Sequence, residues 1–180
     1  MDTAFEELIA FHGHSCPGLA IGYRMTRAGL AFLSGSRAVD EEMVAIVENN
    51  ACGVDALQCL SGCTFGKGNL IFKDYGKHVF TFYDRSSGKG VRVVFRHGNV
   101  SDDLRKERAK FTDWLLSAPE EEVVTMEEVV IEEPEPARIM ISAECAFCHE
   151  DVMETRTKEI KGQVVCIPCA GKYSASRKGS

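Results

Sequence analysis

A chain of 180 residues with 44% apolar and 27% charged side chains and a net charge of −6 has room for one moderate domain, or for a domain with a small appendage, and has a soluble globular composition. The acidic balance excludes a global basic surface for nonspecific nucleic-acid binding. No run of about 18 apolar residues is present to span a membrane, and the opening Met1-Asp-Thr-Ala-Phe-Glu-Glu is acidic where a signal peptide would be basic. The expected location is therefore cytoplasmic, where eight cysteines are read as metal ligands or reactive thiols before disulfides.

Thr3 and Glu6 are spaced as a capping box, predicting a helix from Ala4 to Phe11 that buries Phe5, Leu8 and Ile9. His12-Gly-His-Ser-Cys-Pro-Gly18 follows, with two imidazoles and one thiol. Pro17 suits the first position of a second helix, where a missing N–H costs nothing. Cys16 then stands at the cap, where unpaired N–H groups and the helix dipole favour thiolate over thiol. Neutral imidazole and thiolate are ligands for zinc or a related metal; a buried thiol with two turn histidines is the plainer alternative. The second helix is expected to end near Gly35. Its small residues Gly18, Ala20, Gly22 and Gly29 imply close approach of another backbone, from this chain or a partner, because a helical glycine otherwise costs about 1 kcal/mol.

Met43 to Val47 reads as a buried strand that delivers Glu48, Asn49 and Asn50 to its end. Cys52 precedes a short helix with Asp55 in its first turn and Gly62 as its stop. Cys63 and Thr64 open a glycine-rich loop through Asn69. That loop is not a phosphate-binding P-loop, since only three residues separate Gly62 from Gly66 and Gly68 follows Lys67. Cys59, within the helix, is assigned to packing. Leu70–Phe72, His78–Tyr83 and Val91–Arg96 are strand candidates, joined by two hairpin-like connections, Asp74-Tyr-Gly-Lys and Arg85-Ser-Ser-Gly-Lys-Gly. Ser101 caps an amphipathic helix to Leu116 that presents Leu104, Phe111, Trp114 and Leu115 on one face. The fold class is α+β, with helices packed on a mostly antiparallel sheet over residues 1–117.

Residues 118–137 read as an acidic extended linker, with eight Glu and no Lys or Arg between Pro119 and Pro136. Its Val123-Val-Thr and Val129-Val-Ile triplets imply packing along the way. Residues 138–180 carry Cys145-Ala-Phe-Cys148 and Cys166-Ile-Pro-Cys169, 17 residues apart. Two such pairs, a hairpin strand at Gln163-Val-Val and a terminal helix describe a small treble-clef or ribbon-type zinc finger. Cys145, Cys148, Cys166 and Cys169 would be the ligands of a closed structural Zn2+ site. So small a domain draws its stability from the metal; His149 is a bystander.

His12-Gly-His-Ser-Cys-Pro-Gly18, Gly22-Tyr-Arg-Met, Cys52-Gly-Val-Asp-Ala-Leu-Gln, Gly62-Cys-Thr-Phe-Gly-Lys-Gly-Asn and Asp74-Tyr-Gly-Lys together resemble the formylmethanofuran dehydrogenase E-subunit family, over roughly Phe5 to Arg96. The tail is similar to the zinc fingers of the DksA/TraR group. The resemblance implies an α+β core and a homodimer. The family's name refers to a tungsten or molybdenum enzyme complex, but nothing in the sequence marks a pterin site or an iron–sulfur cluster.

Two functions follow. One is a metal- or ligand-sensing regulatory protein with a second metal ion in the core, held by His14 and Cys16 with Cys52, Asp55 or Cys63, and a finger that touches a protein or nucleic-acid partner, as in transcription regulation. The finger region has seven basic and five acidic residues, and Arg156, Lys158, Lys161, Lys172, Arg177 and Lys178 are available for contact. The alternative is an enzyme or an accessory component of one-carbon or molybdopterin-linked metabolism, with Cys16 and His14 as its catalytic candidates.

Overall fold

The computed structural model describes residues 3–35 and 37–176, so Arg177 and Lys178 lie outside the described residues. Two units separate at the boundary between Ala137 and Arg138.

In the first unit, α1 (Thr3–His12) buries Phe5 and Leu8, and Thr3 is already helical rather than a cap. The second helix, α2 (Pro17–Phe32), starts where Pro17 predicts, capped by Cys16, and buries Leu19, Ile21, Tyr23 and Met25. After β1 (Met43–Val47) comes α3 (Gly53–Ser61), which stops at Gly62 in the left-handed conformation (φ 72°). The loop that follows is built from within. Asn69 donates to the carbonyls of Asp40 (3.0 Å) and Met43 (2.9 Å) and accepts from Thr64 N (2.9 Å), while the Lys67 ammonium donates to the carbonyls of Ala38, Val39 and Asp40. The Gly-Lys-Gly-Asn sequence is thus a loop clamp.

β2 (Leu70–Phe72), β3 (Val79–Asp84) and β4 (Lys89–Phe95) complete the central sheet with β5 (Val124–Val129), in the order β2-β1-β3-β4-β5. The β3–β4 connection is the expected hairpin. The β2–β3 connection is not: β1 lies between them, parallel to β2 and antiparallel to β3. Three peptide N–H groups of the connection explain the difference, since Lys73 bonds the Val47 carbonyl and Tyr75 and Lys77 bond that of Glu48. The segment folds over the end of β1 instead of turning back on β2. Ala45, Val47, Phe80, Phe82, Val91, Val93 and Phe95 face the helices and form one core with Leu8, Leu19, Met25, Leu57 and Leu115. Each such large side chain stabilises the fold by about 1.5–3 kcal/mol.

The amphipathic segment after Ser101 is two helices, α4 (Asp102–Lys106) and α5 (Arg108–Ser117), broken at Glu107. Ser101 caps the first through Leu104 N (3.3 Å). The stretch expected to be a linker begins as α6 (Glu120–Val123) and then β5, with Val123 and Val124 in the core. Its apolar residues pair with β4 while its glutamates face water. The remainder is tied down by Arg85, which donates to Glu133 (2.9 Å) and the Pro134 carbonyl (2.6 Å), and by Glu41, which accepts from Ala137 N (2.8 Å).

The second unit consists of two hairpins, β6 (Ser142–Glu144) with β7 (Asp151–Met153) and β8 (Thr157–Ile160) with β9 (Gln163–Cys166), followed by α7 (Ile167–Ser176). Its buried core is only Cys145, Val165, Cys166 and Ala170.

Candidate metal centres

The first centre forms where three chain segments end. α1 closes on His12, α2 opens at Cys16, and the turn before α3 carries Cys52. What brings the two cysteines together is a glycine contact between helices. A Cβ on Gly22 would lie 2.2 Å from the Gly53 carbonyl oxygen and 2.3 Å from its Cα, and one on Gly18 would lie 3.2 Å from the Cys52 Cβ. The small face of α2 therefore meets α3 of the same chain.

One ligand atom from each of His12, Cys16 and Cys52 falls within 4.8 Å of the others. The His12 Nδ1–H donates to Asp55 Oδ2 (2.7 Å), and Nε2 lies 3.9 Å from Cys16 Sγ. A carboxylate only accepts, so the proton sits on Nδ1 and the lone pair of Nε2 is turned toward the sulfurs. Cys16 Sγ accepts from Leu19 N (3.4 Å) at the positive end of α2. Burial, and then the neighbouring Cys16, push the Cys52 thiol up. Two sulfurs that raise each other's cost of ionising, beside an imidazole oriented by a carboxylate, suit a divalent metal, which would hold both as thiolates. The donor set, one nitrogen and two sulfurs, fits zinc and leaves a fourth coordination position open.

Of the residues expected here, Cys16 and Cys52 come together. His14 does not join them; it is exposed, with its ring 4.6 Å from that of His12. Cys63 is buried elsewhere, its thiol on the Met43 carbonyl (3.5 Å) and its ionisation suppressed by burial. Asp55 reaches the centre through His12. Sequence reasoning passed over His12 itself, although it continues the inward stripe of Phe5 and Leu8 at helical spacing.

In the second unit the sulfurs of Cys145, Cys148, Cys166 and Cys169 all lie within 4.8 Å of one another. Cys145 and Cys148 flank the knuckle after β6, Cys166 ends β9 and Cys169 lies in the first turn of α7. The Cys166 N–H donates to Cys145 Sγ (3.3 Å), and this bond, followed by that of the Cys148 N–H, brings the Cys145 thiol down to about 6. Four cysteines in this arrangement can hold zinc in a closed site. His149 is outside the set, its Nδ1 on Glu144 (2.7 Å).

Residues 11–144 match the family described as FmdE, molybdenum formylmethanofuran dehydrogenase operon, and residues 139–175 match the prokaryotic DksA/TraR C4-type zinc finger. A crystal structure of an FmdE-like protein of tungsten formylmethanofuran dehydrogenase type, from Syntrophus aciditrophicus, is similar, with a TM-score of 0.72 and 26% identity, covering 93% of this chain and 90% of that one. A probable S-adenosyl-L-methionine-binding protein of Archaeoglobus fulgidus is 34% identical over 194 residues, 92% of this chain and 52% of the relative. The chain thus spans about half the length of that relative.

Proposed function

This chain belongs to the FmdE family, and from that premise we propose that it is a metal-dependent sensing or regulatory protein, its core centre holding an exchangeable metal and its finger meeting a protein partner. The observation that carries the reading is the convergence of His12, Cys16 and Cys52, with Asp55 on the far nitrogen of the imidazole. Three protein donors leave room for a small ligand, which a sensor requires and a purely structural site does not. A metal bound there supplies a Lewis-acid position for that ligand; the chain supplies the orientation of the imidazole and the two sulfurs. The C4 finger, with no open position, supplies a folded surface. Its near balance of basic and acidic residues favours a protein over a nucleic acid.

A second reading, an accessory component of one-carbon or molybdopterin-linked metabolism, is favoured by the structural relative, an FmdE-like protein named for a tungsten formylmethanofuran dehydrogenase. S-adenosylmethionine binding is named of a protein about twice this length and is not part of the proposal. A homodimer is proposed from the family alone, because the glycine face of α2 is already used within the chain; light scattering at micromolar concentration tests it.

The test of the open position is spectroscopic. With cobalt(II) in the full chain, azide should shift the visible bands of the core centre, and Cys16→Ser should abolish that response. Bands indifferent to azide would contradict an exchangeable site.

A further inference from the structure

The two cysteines of the core centre are fixed by different means. Cys16 is held at its sulfur, which accepts the Leu19 N–H. Cys52 has a helical backbone (φ −46°, ψ −31°), and its side chain makes no capping bond, so the position of its sulfur follows from where its backbone is put. That backbone belongs to the turn Asn49–Cys52, and the turn is closed by a side chain. Asn49 Oδ1 accepts the Ala51 N–H (2.9 Å), and Asn49 Nδ2 donates to the Lys77 carbonyl (2.6 Å). The Ala51 carbonyl in turn accepts the first N–H bond of the α3 entrance, from Val54 (2.9 Å). Asn49 is only 8% exposed, at the end of β1, where the Glu48 carbonyl accepts the Tyr75 and Lys77 N–H groups.

We propose that Asn49 is a positioning residue of the core metal centre: its carboxamide sets the turn that presents the Cys52 sulfur and locks that turn to the 73–78 segment. The inference rests on the metal reading of His12, Cys16 and Cys52. An amide is required because one short side chain must both accept from Ala51 and donate to Lys77. Aspartate keeps the first bond, loses the second, and sets a carboxylate against a carbonyl oxygen. Alanine loses both. Partners one step removed from a ligand typically tune metal affinity 10–100-fold.

The experiment is competition of the full chain for cobalt(II) against a chromophoric chelator, with the finger as internal control and thermal unfolding of the metal-free chain measured in parallel. Asn49→Ala should weaken the core centre about tenfold or more, Asn49→Asp by less, and both should leave the finger's metal in place. A residue that only stabilised the fold would lower the unfolding temperature of the metal-free chain and leave the affinity unchanged. That result overturns the proposal, as does equal binding by wild type and Asn49→Ala. A wild-type chain that holds metal only in the finger, with Cys52→Ser no different, overturns the metal reading itself and is distinguishable by its stoichiometry.

Discussion

Gly22→Ala isolates the contact on which the core centre depends. The added methyl would sit 2.2 Å from the Gly53 carbonyl oxygen, 2.3 Å from its Cα and 2.6 Å from its carbonyl carbon. Ordinary van der Waals contact begins near 3.4 Å, so α2 and α3 must part by about 1.2 Å, and backbone has no rotamer with which to yield. Overpacking of this kind costs about 1–3 kcal/mol, against which alanine recovers about 1 kcal/mol of helix propensity. A rigid backbone contact puts the steric cost at the upper end, leaving a net loss of about 2 kcal/mol, or roughly 4–8 °C in Tm for a protein of this size. Separation also draws Cys16 on α2 away from Cys52 at the start of α3, so metal affinity at the core centre should fall with stability. The assays are differential scanning calorimetry and chelator competition. Gly66→Ala, with nothing within 4 Å of the added carbon, is the control. Wild-type Tm and wild-type core-metal affinity in Gly22→Ala would refute the account of how the two sulfurs are brought together.

Asp55→Ala frees the His12 Nδ1–H (2.7 Å from Asp55) and should weaken core-metal binding about 10–100-fold while the finger stays loaded, as read by chelator competition. Cys148→Ser should cost the chain its finger metal, and hydrogen exchange should show amide protection lost over residues 142–176, because structural zinc supplies about 10–16 kcal/mol of binding energy that such a small unit folds on. His78 Nδ1 and His97 Nε2 lie 3.1 Å apart; burial, then its neighbour, lowers the pKa of His78, and burial, then Arg105, lowers that of His97. The unfolded chain therefore takes up protons first, from about pH 6.5 downward, so the pair's contribution is full above that pH and is lost as pH falls. Urea midpoints should drop further between about pH 7.5 and pH 5.5 in wild type than in His97→Gln, and equal drops would contradict the assignment.

Local signals were readable where one residue decides one feature. Pro17 starts α2, Gly62 stops α3, Ser101 caps α4, and two Cys-x-x-Cys pairs define the finger. What escaped depended on pairing at a distance. The 73–78 segment looks like a hairpin turn, yet β2 is parallel to β1, because the partner of its N–H groups is the end of β1 and no local pattern shows that. The acidic run reads as solvated from its charge, while Val123 and Val124 were enough to dock α6 and β5. The core centre was half legible. Cys16 and Cys52 are marked by their helix entrances, but His14, beyond Gly13, stood nearer to Cys16 in sequence than His12 and drew the assignment. The i, i+4 spacing of Leu8 and His12 was the signal that pointed inward. Cys63 resembles a ligand by its company of glycines and proves to be held under the sheet's edge by the Met43 carbonyl.

The central claim is that the chain has two metal centres of different kinds, a three-donor core and a four-cysteine finger. Elemental analysis of the full chain, purified without chelator, tests it most directly when wild type is set beside Cys16→Ser and His12→Ala. Two clusters of donors predict two metals per chain in wild type and one in either variant, the finger's alone. A single metal per wild-type chain that both variants retain would contradict the core centre.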